Sequence, residues 1–174
     1  MKKKFILPLV TTAFLCLSGS VNASMLHIQF PTGIVVSMQK AQEQFLRLYV
    51  VNYESYSWDT IQQTFDTTIA MSDENVAEVF QKIHLSKNHN SPVKVLKKDY
   101  KIFVTVKSVD FDGEFAKVHF IKKAVSNQNA DIVWQRNFVA TVGLKYQGTM
   151  PDKAQELNPL GYKVTHYQVE KEQG

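Results

Sequence analysis

Histidine is the residue type in this chain best suited to metal binding or proton transfer, but the positions of the histidines favour neither. The chain has five: His27, His84, His89, His119 and His166. His84 and His89 lie five residues apart in a polar stretch that predicts a linker, which is the wrong spacing for one helix face. His119 falls on the water-facing side of a predicted strand, and His166 is a lone histidine in the last strand. We therefore predict no metal site.

Acids at every second position are the spacing with which a calcium-binding loop begins, and Asp110, Asp112 and Glu114 have this spacing. Ala116 and Val118 occupy positions where further oxygen ligands would be required. An Asp-Gly pair at 112–113 between two alternating apolar segments is typical of a β-hairpin turn. We interpret these residues as a hairpin.

The sequence contains none of the short motifs that mark common hydrolase, zinc-protease or nucleotide-binding sites. An enzyme acting in a pocket needs an inward carboxylate or histidine with a shifted pKa. The apolar face of the longest predicted strand carries no acid, and its one charged residue, Arg136, is predicted to be exposed. We therefore predict no catalytic residue, no cofactor and no enzymatic activity.

Residues 1–23 have the three parts of a secretory signal peptide: a lysine-rich head, an apolar run and a small-residue cleavage site. Val21 and Ala23 stand at the positions that favour a cut before Ser24. The alternative is an uncleaved membrane anchor, although the apolar run has 13 residues and a span needs about 20.

Removal of this leader changes the charge and the thiol chemistry of the chain. Lys plus Arg falls from 20 to 17 against 16 Asp plus Glu, so the net charge falls from +4 to +1. Specific nucleic-acid binding needs a clear basic excess, so we predict no such partner. The only cysteine, Cys16, leaves with the leader, which suits an oxidising compartment.

Apolar spacing predicts helices in the first half of the mature chain. Segment 24–38 is either a tether or a short strand. In 39–54, Phe45, Leu48 and Tyr49 recur at helical spacing on one face. That apolar stripe is wide, so the helix packs either into the core on both sides or against a partner on one side. Further helices are predicted to begin near Trp58, with Ser57 as the cap, and after Ser72, where a capping residue and acids precede apolar repeats.

The period of the apolar pattern changes to two after residue 99, which predicts strands. Their bounds are 100–109, 115–125, 132–146 and 162–169. Helices followed by antiparallel strands predict a single α+β domain over 39–170, with a loose tail at 171–174. The helices should pack on a curved antiparallel sheet of about four strands.

Two stretches taken together resemble a known family. The first is Leu-Arg-Leu-Tyr-Val-Val-Asn-Tyr-Glu-Ser-Tyr-Ser-Trp at 46–58. The second is Phe-Val-Ala-Thr-Val-Gly-Leu-Lys-Tyr at 138–146, followed by Glu-Leu-Asn-Pro-Leu-Gly-Tyr-Lys-Val-Thr-His-Tyr at 156–167. This pattern is similar to the periplasmic domain of the eighth VirB component of bacterial type IV secretion systems, over about residues 39–170.

The resemblance implies a nuclear-transport-factor-two-like roll. It also implies a non-catalytic periplasmic subunit that self-associates and binds other channel subunits. The residues that it implicates in self-association are Asn158, Pro159, Leu160 and Gly161, with a further contact on the first helix around Phe45, Leu48 and Tyr49. Typical members carry an uncleaved membrane span, so the leader-like start leaves inner-membrane tethering open. The partner in a weak dimer is then either a second copy or an anchored paralogue.

A second function also fits such a roll, because rolls often enclose an apolar pocket between helices and sheet. The chain would then be a periplasmic small-ligand-binding protein. The residues predicted to line the pocket are Trp134, Phe138 and Tyr162.

Overall fold

The computed structural model describes residues 27–29, 35–84, 89–148 and 151–172. The predicted leader at 1–23 lies outside these residues. Two short strands, β1 (His27–Gln29) and β2 (Val35–Ser37), pair antiparallel in the segment where a tether or a short strand was expected.

Three helices follow: α1 (Met38–Glu54), α2 (Ile61–Met71) and α3 (Glu74–His84). The prediction that the second helix begins near Trp58 is wrong by about one turn. Trp58 instead lies in a turn that is closed by a hydrogen bond from the backbone N–H of Thr60 to the carbonyl of Ser57, at 3.2 Å.

The cap of α3 is Asp73 and not Ser72. The Asp73 carboxylate accepts the backbone N–H of Val76 at 2.9 Å, which satisfies one free donor of the first helical turn. The hydroxyl of Ser72 is buried and lies 2.9 Å from the hydroxyl of Tyr49. Ser72 therefore links the end of α2 to α1.

A four-stranded antiparallel sheet forms the second layer, in the order β3, β4, β5, β6. Its strands are β3 (Tyr100–Asp112), β4 (Phe115–Ser126), β5 (Ile132–Tyr146) and β6 (Tyr162–Lys171). Each pairing contains one register shift, and such bulges bend strands and increase their twist. Two short helices, α4 (Pro92–Val95) and α5 (Asp152–Leu157), were not predicted.

The hairpin at 110–114 is confirmed, since Asp112 pairs with Phe115 and Gly113 has a φ of +60°. The loose tail was predicted to begin at residue 171, but the first two residues of this tail are held against the sheet. Strand β6 runs to Lys171, and the backbone N–H of Glu172 donates to Asn137 at 3.1 Å. These two residues extend the sheet.

The main core lies between α1 and the sheet. Five residues of α1 are buried: Ala41, Phe45, Leu46, Tyr49 and Val50. They pack on inward-facing residues of β4, β5 and β6, which include Val118, Val142 and Val164. Burial of each large side chain contributes about 1.5–3 kcal/mol. The predicted α+β roll, helices on a curved antiparallel sheet, is confirmed.

Candidate functional site

The Asn-Pro-Leu-Gly turn at 158–161 is fixed to the rest of the domain by its first residue. Asn158 is buried, and its side-chain amide donates to the carbonyls of Tyr162 at 2.7 Å and Ala70 at 3.2 Å. The backbone N–H of Gly161 donates to the Asn158 carbonyl at 3.3 Å, which closes a β-turn. The turn therefore joins the start of β6 to the end of α2.

The last residue of the turn must be glycine. Gly161 has a φ of +67°, and a Cβ there would overlap the carbonyl oxygen of Gly148. Its own carbonyl accepts the backbone N–H of Gln147 at 2.9 Å. Pro159 is exposed, whereas Leu160 is half-buried against the core. The turn thus presents one proline on a rigid base.

Of the three residues of the first helix that were expected to contact a partner, only one is exposed. Phe45 and Tyr49 are 1% and 0% exposed, whereas Leu48 is 46% exposed. The two aromatic rings stack in the core with centroids 6.2 Å apart, and burial raises the pKa of Tyr49 well above its usual range. Of the three predicted residues, only Leu48 can reach a partner without unfolding of α1.

A cavity of about 460 Å³ lies between the end of α1, α3, α4 and the sheet. Trp134 lines it as predicted, but the other two predicted residues do not. Tyr162 points into the core against Phe45, with centroids 5.6 Å apart. Phe138 stacks on Phe120 at 5.7 Å. The predicted pocket residues are therefore not brought together.

The cavity contains a half-buried charge cluster that the sequence analysis missed. The Lys122 ammonium lies 2.6 Å from the Glu54 carboxylate, and the hydroxyl of Tyr167 donates to the other oxygen of Glu54 at 2.9 Å. The two charged side chains are 21% and 10% exposed. Glu54 is the last residue of α1, so the apolar pattern of the strands gives no sign of it.

Burial dominates the titration of the groups around this cluster. It lowers the pKa of His84, whose ring N–H donates to the Phe80 carbonyl at 3.0 Å. It raises the pKa of Tyr53 to about 12 and that of Tyr167 well above its usual range. His84 belongs to the last turn of α3 and not to a linker, which corrects the sequence interpretation.

Lys122 and Tyr167 each engage one oxygen of the Glu54 carboxylate. On the outer side of the sheet, His119 contacts Glu172 and lies 3.6 Å from Asp110. His166 is exposed with its ring edge against Phe115. Within the described residues, no three His, Cys, Asp or Glu side chains form a group that could hold a metal ion.

Comparison with known proteins places this fold. The VirB8 protein family model matches residues 12–172. The type IV secretion system protein virB8 of Brucella suis is 29% identical over 138 residues, which cover 75% of this chain and 55% of that protein. The chain therefore matches about half the length of this relative.

Solved structures give the same result. The soluble domain of TrwG from Bartonella grahamii, part of a type IV secretion machinery, is 32% identical with a TM-score of 0.70 over 75% of this chain and 92% of that one. A TraE protein in complex with 2-chloroisonicotinic acid is 28% identical with a TM-score of 0.68, over 79% and 98% of the two chains.

The fold is a nuclear-transport-factor-two-like roll with a rigid exposed turn at one end and a charged cavity at the other. The chain belongs to the VirB8 family of type IV secretion proteins. Among the described residues, no helix has the length and apolar character needed to cross a bilayer.

Proposed function

We propose that the protein is a non-catalytic assembly subunit of a type IV secretion system. It acts in the periplasm, where it self-associates and binds other channel subunits. Family membership over residues 12–172 supports this role. The observation that carries it is the 158–161 turn, whose buried Asn158 and close-packed Gly161 hold Pro159 in a fixed exposed position.

A rigid turn suits self-association, because little conformational entropy is lost when it docks. Proline fixes one backbone angle before binding, and the hydrogen bonds of Asn158 fix the rest. The turn and Leu48 are the two contacts that we assign to a weak dimer, formed with a second copy or with an anchored paralogue.

Sedimentation velocity of the purified full chain tests the dimer. Pro159→Arg and Leu48→Arg each place a charge in a proposed contact and should weaken the dimer at least tenfold. Val79→Arg is the matched control, since Val79 is 52% exposed on α3 and lies in neither contact. A dimer that survives both substitutions, or that Val79→Arg weakens equally, would contradict the assignment.

The second candidate is small-ligand binding in the cavity. A largely apolar lining that includes a Glu54–Lys122 pair is the composition of ligand sites, and the TraE neighbour is in complex with a small aromatic acid. Native mass spectrometry of the protein isolated from its own cells should then show a bound mass. Trp134→Ala should remove that mass, whereas Tyr146→Ala outside the cavity should keep it.

A further inference from the structure

Exposed apolar side chains collect at the end of the sheet where β3 and β5 begin. They are 36% to 59% exposed, and they are Trp58, Val95, Tyr100, Phe103, Ile132 and Val133. The bridge between Tyr56 and Ile102 brings the 57–60 turn to this same end. Exposed apolar side chains that cluster in this way are typical of an interaction surface.

Lysines surround the tryptophan of this surface. A shallow depression is lined by Trp58, by Lys94, Lys97 and Lys98, and by Val93 and one acid, Asp99. The Lys98 ammonium lies 5.4 Å from the Trp58 ring centroid. These three lysines are exposed. Lys101 pairs with Asp59 at 3.3 Å. We call Trp58, Lys94, Lys97 and Lys98, with the exposed apolar residues around them, the basic end.

The near-neutral charge of the mature chain conceals this concentration. Residues 94–101 contain four lysines and one acid, while the mature chain carries a net charge of only +1 if the leader is removed. The attraction for an anionic surface is therefore local, and it acts over about one Debye length, roughly 8–10 Å.

We propose that the basic end binds the surface of a bilayer that contains anionic phospholipid. Trp and Tyr are enriched at the level of lipid headgroups, and nearby lysines are attracted by anionic lipids. Lysine also keeps its charge in water while its stem covers apolar surface. This contact goes beyond the assembly role, and either can fail without the other.

The residue types argue against two other partners. Protein interfaces are enriched in arginine and depleted of lysine, whereas every cation among the described residues that line the depression around Trp58 is a lysine. Single-stranded nucleic acid needs a basic groove lined by successive stacking rings. Among the described residues that line the depression, Trp58 is the only aromatic one, and Tyr100 and Phe103 lie outside that lining.

The position of the basic end is compatible with self-association. Strand β5 begins at this end with Ile132 and finishes at Tyr146 beside Tyr162 and the 158–161 turn. Its 15 residues span roughly 45 Å when extended. A domain that rests on a bilayer through the basic end therefore directs the turn away from the lipid.

Fluorescence of Trp58 tests the contact in the full chain. The chain has two tryptophans, so Trp134→Phe leaves Trp58 as the only one. This protein is mixed with phosphatidylcholine vesicles, with or without phosphatidylglycerol, that carry brominated acyl chains as quenchers. Quenching of Trp58 reports the basic end alone, even where the N-terminal residues also attach the chain to lipid.

We expect a blue shift and quenching only with phosphatidylglycerol. Lys94→Gln, Lys97→Gln and Lys98→Gln together should weaken this contact about 100-fold, since each lysine near an anionic surface contributes about fivefold. The matched control replaces Lys107, Lys117 and Lys145, three exposed lysines elsewhere on the sheet, and should keep the quenching.

Three results would overturn the proposal. They are equal quenching with and without phosphatidylglycerol, equal loss in the control variant, and no response to vesicles. A Trp58 response to single-stranded oligonucleotide or polyglutamate without one to vesicles would also overturn it and would assign the surface to that class of partner. In every case the dimer measured by sedimentation remains a separate result.

Discussion

Replacement of Gly161 by alanine should destabilise the domain far more than the same change at another left-handed glycine. Gly161 and Gly113 have φ values of +67° and +60°, so alanine meets a similar backbone penalty at both. Their surroundings differ. A Cβ at 161 would overlap the Gly148 carbonyl oxygen, whereas a Cβ at 113 has no atom within 4 Å.

The expected difference in unfolding free energy follows from the backbone penalty at both glycines and the steric overlap at Gly161 alone. The left-handed conformation costs an alanine about 1–2 kcal/mol, and the entropic benefit of removing a glycine from the unfolded chain is the same at both sites. Overpacking against a backbone atom adds about 1–3 kcal/mol at Gly161 alone. We therefore expect Gly161→Ala to lower the free energy of unfolding by about 1–3 kcal/mol more than Gly113→Ala.

Urea unfolding followed by circular dichroism measures both values, provided that the m-values agree. The order of the two variants decides the matter. If Gly161→Ala is no more destabilising than Gly113→Ala, then the backbone at 147–148 moves away from the added methyl group at little energetic cost. The 158–161 turn would then not be rigid, and the main support for its role in self-association would be lost.

Three further predictions concern buried polar groups. Glu54→Gln should lower the free energy of unfolding by about 2 kcal/mol, because it leaves the half-buried Lys122 ammonium without its carboxylate. Adding Lys122→Met should restore more than half of this loss, and simple additivity of the two losses in urea titrations would contradict the coupling. Burial lowers the pKa of His84, so its stabilising contribution is full above about pH 6.5 and is lost as pH falls through the folded-state pKa. His84→Phe should therefore reduce the loss of melting temperature between pH 7 and pH 5, whereas the exposed control His166→Asn should not. Asn158→Ala removes two hydrogen bonds to backbone carbonyls, and calorimetry should show a loss of about 2–3 kcal/mol; a loss below about 0.5 kcal/mol would show that the turn does not depend on this residue.

Local periodicity predicted the elements well where burial follows sequence spacing. The observed bounds of β5 equal the predicted 132–146, because apolar residues alternate along it with Arg136 as the one interruption. The β-turn at 158–161 is also locally encoded, since Asn158, Pro159 and Gly161 stand at the positions of a turn that favour these residue types. The failed start near Trp58 has a physical reason: a capping residue at Ser57 cannot specify a helix when the following residues close a turn and Tyr56 bridges to β3.

Contacts between layers could not be read from spacing. Glu54 meets Lys122 and Tyr167 across 68 and 113 positions, and no local pattern encodes such a meeting. The stripe of α1 identified Phe45, Leu48 and Tyr49 as apolar, yet only the packed structure separates the exposed Leu48 from its two buried neighbours. The four lysines at 94–101 are present in the sequence, but the net charge of the whole mature chain is only +1 and does not reveal this local excess.

The assembly role is tested most directly in intact cells. A C-terminally tagged full chain is crosslinked in place and purified, and the eluate is analysed by mass spectrometry together with the N-terminal peptide of the chain. We predict that other type IV secretion channel subunits co-elute and that the chain begins at Ser24. An eluate without any channel subunit, under conditions in which the chain itself is recovered intact, would contradict the assembly role.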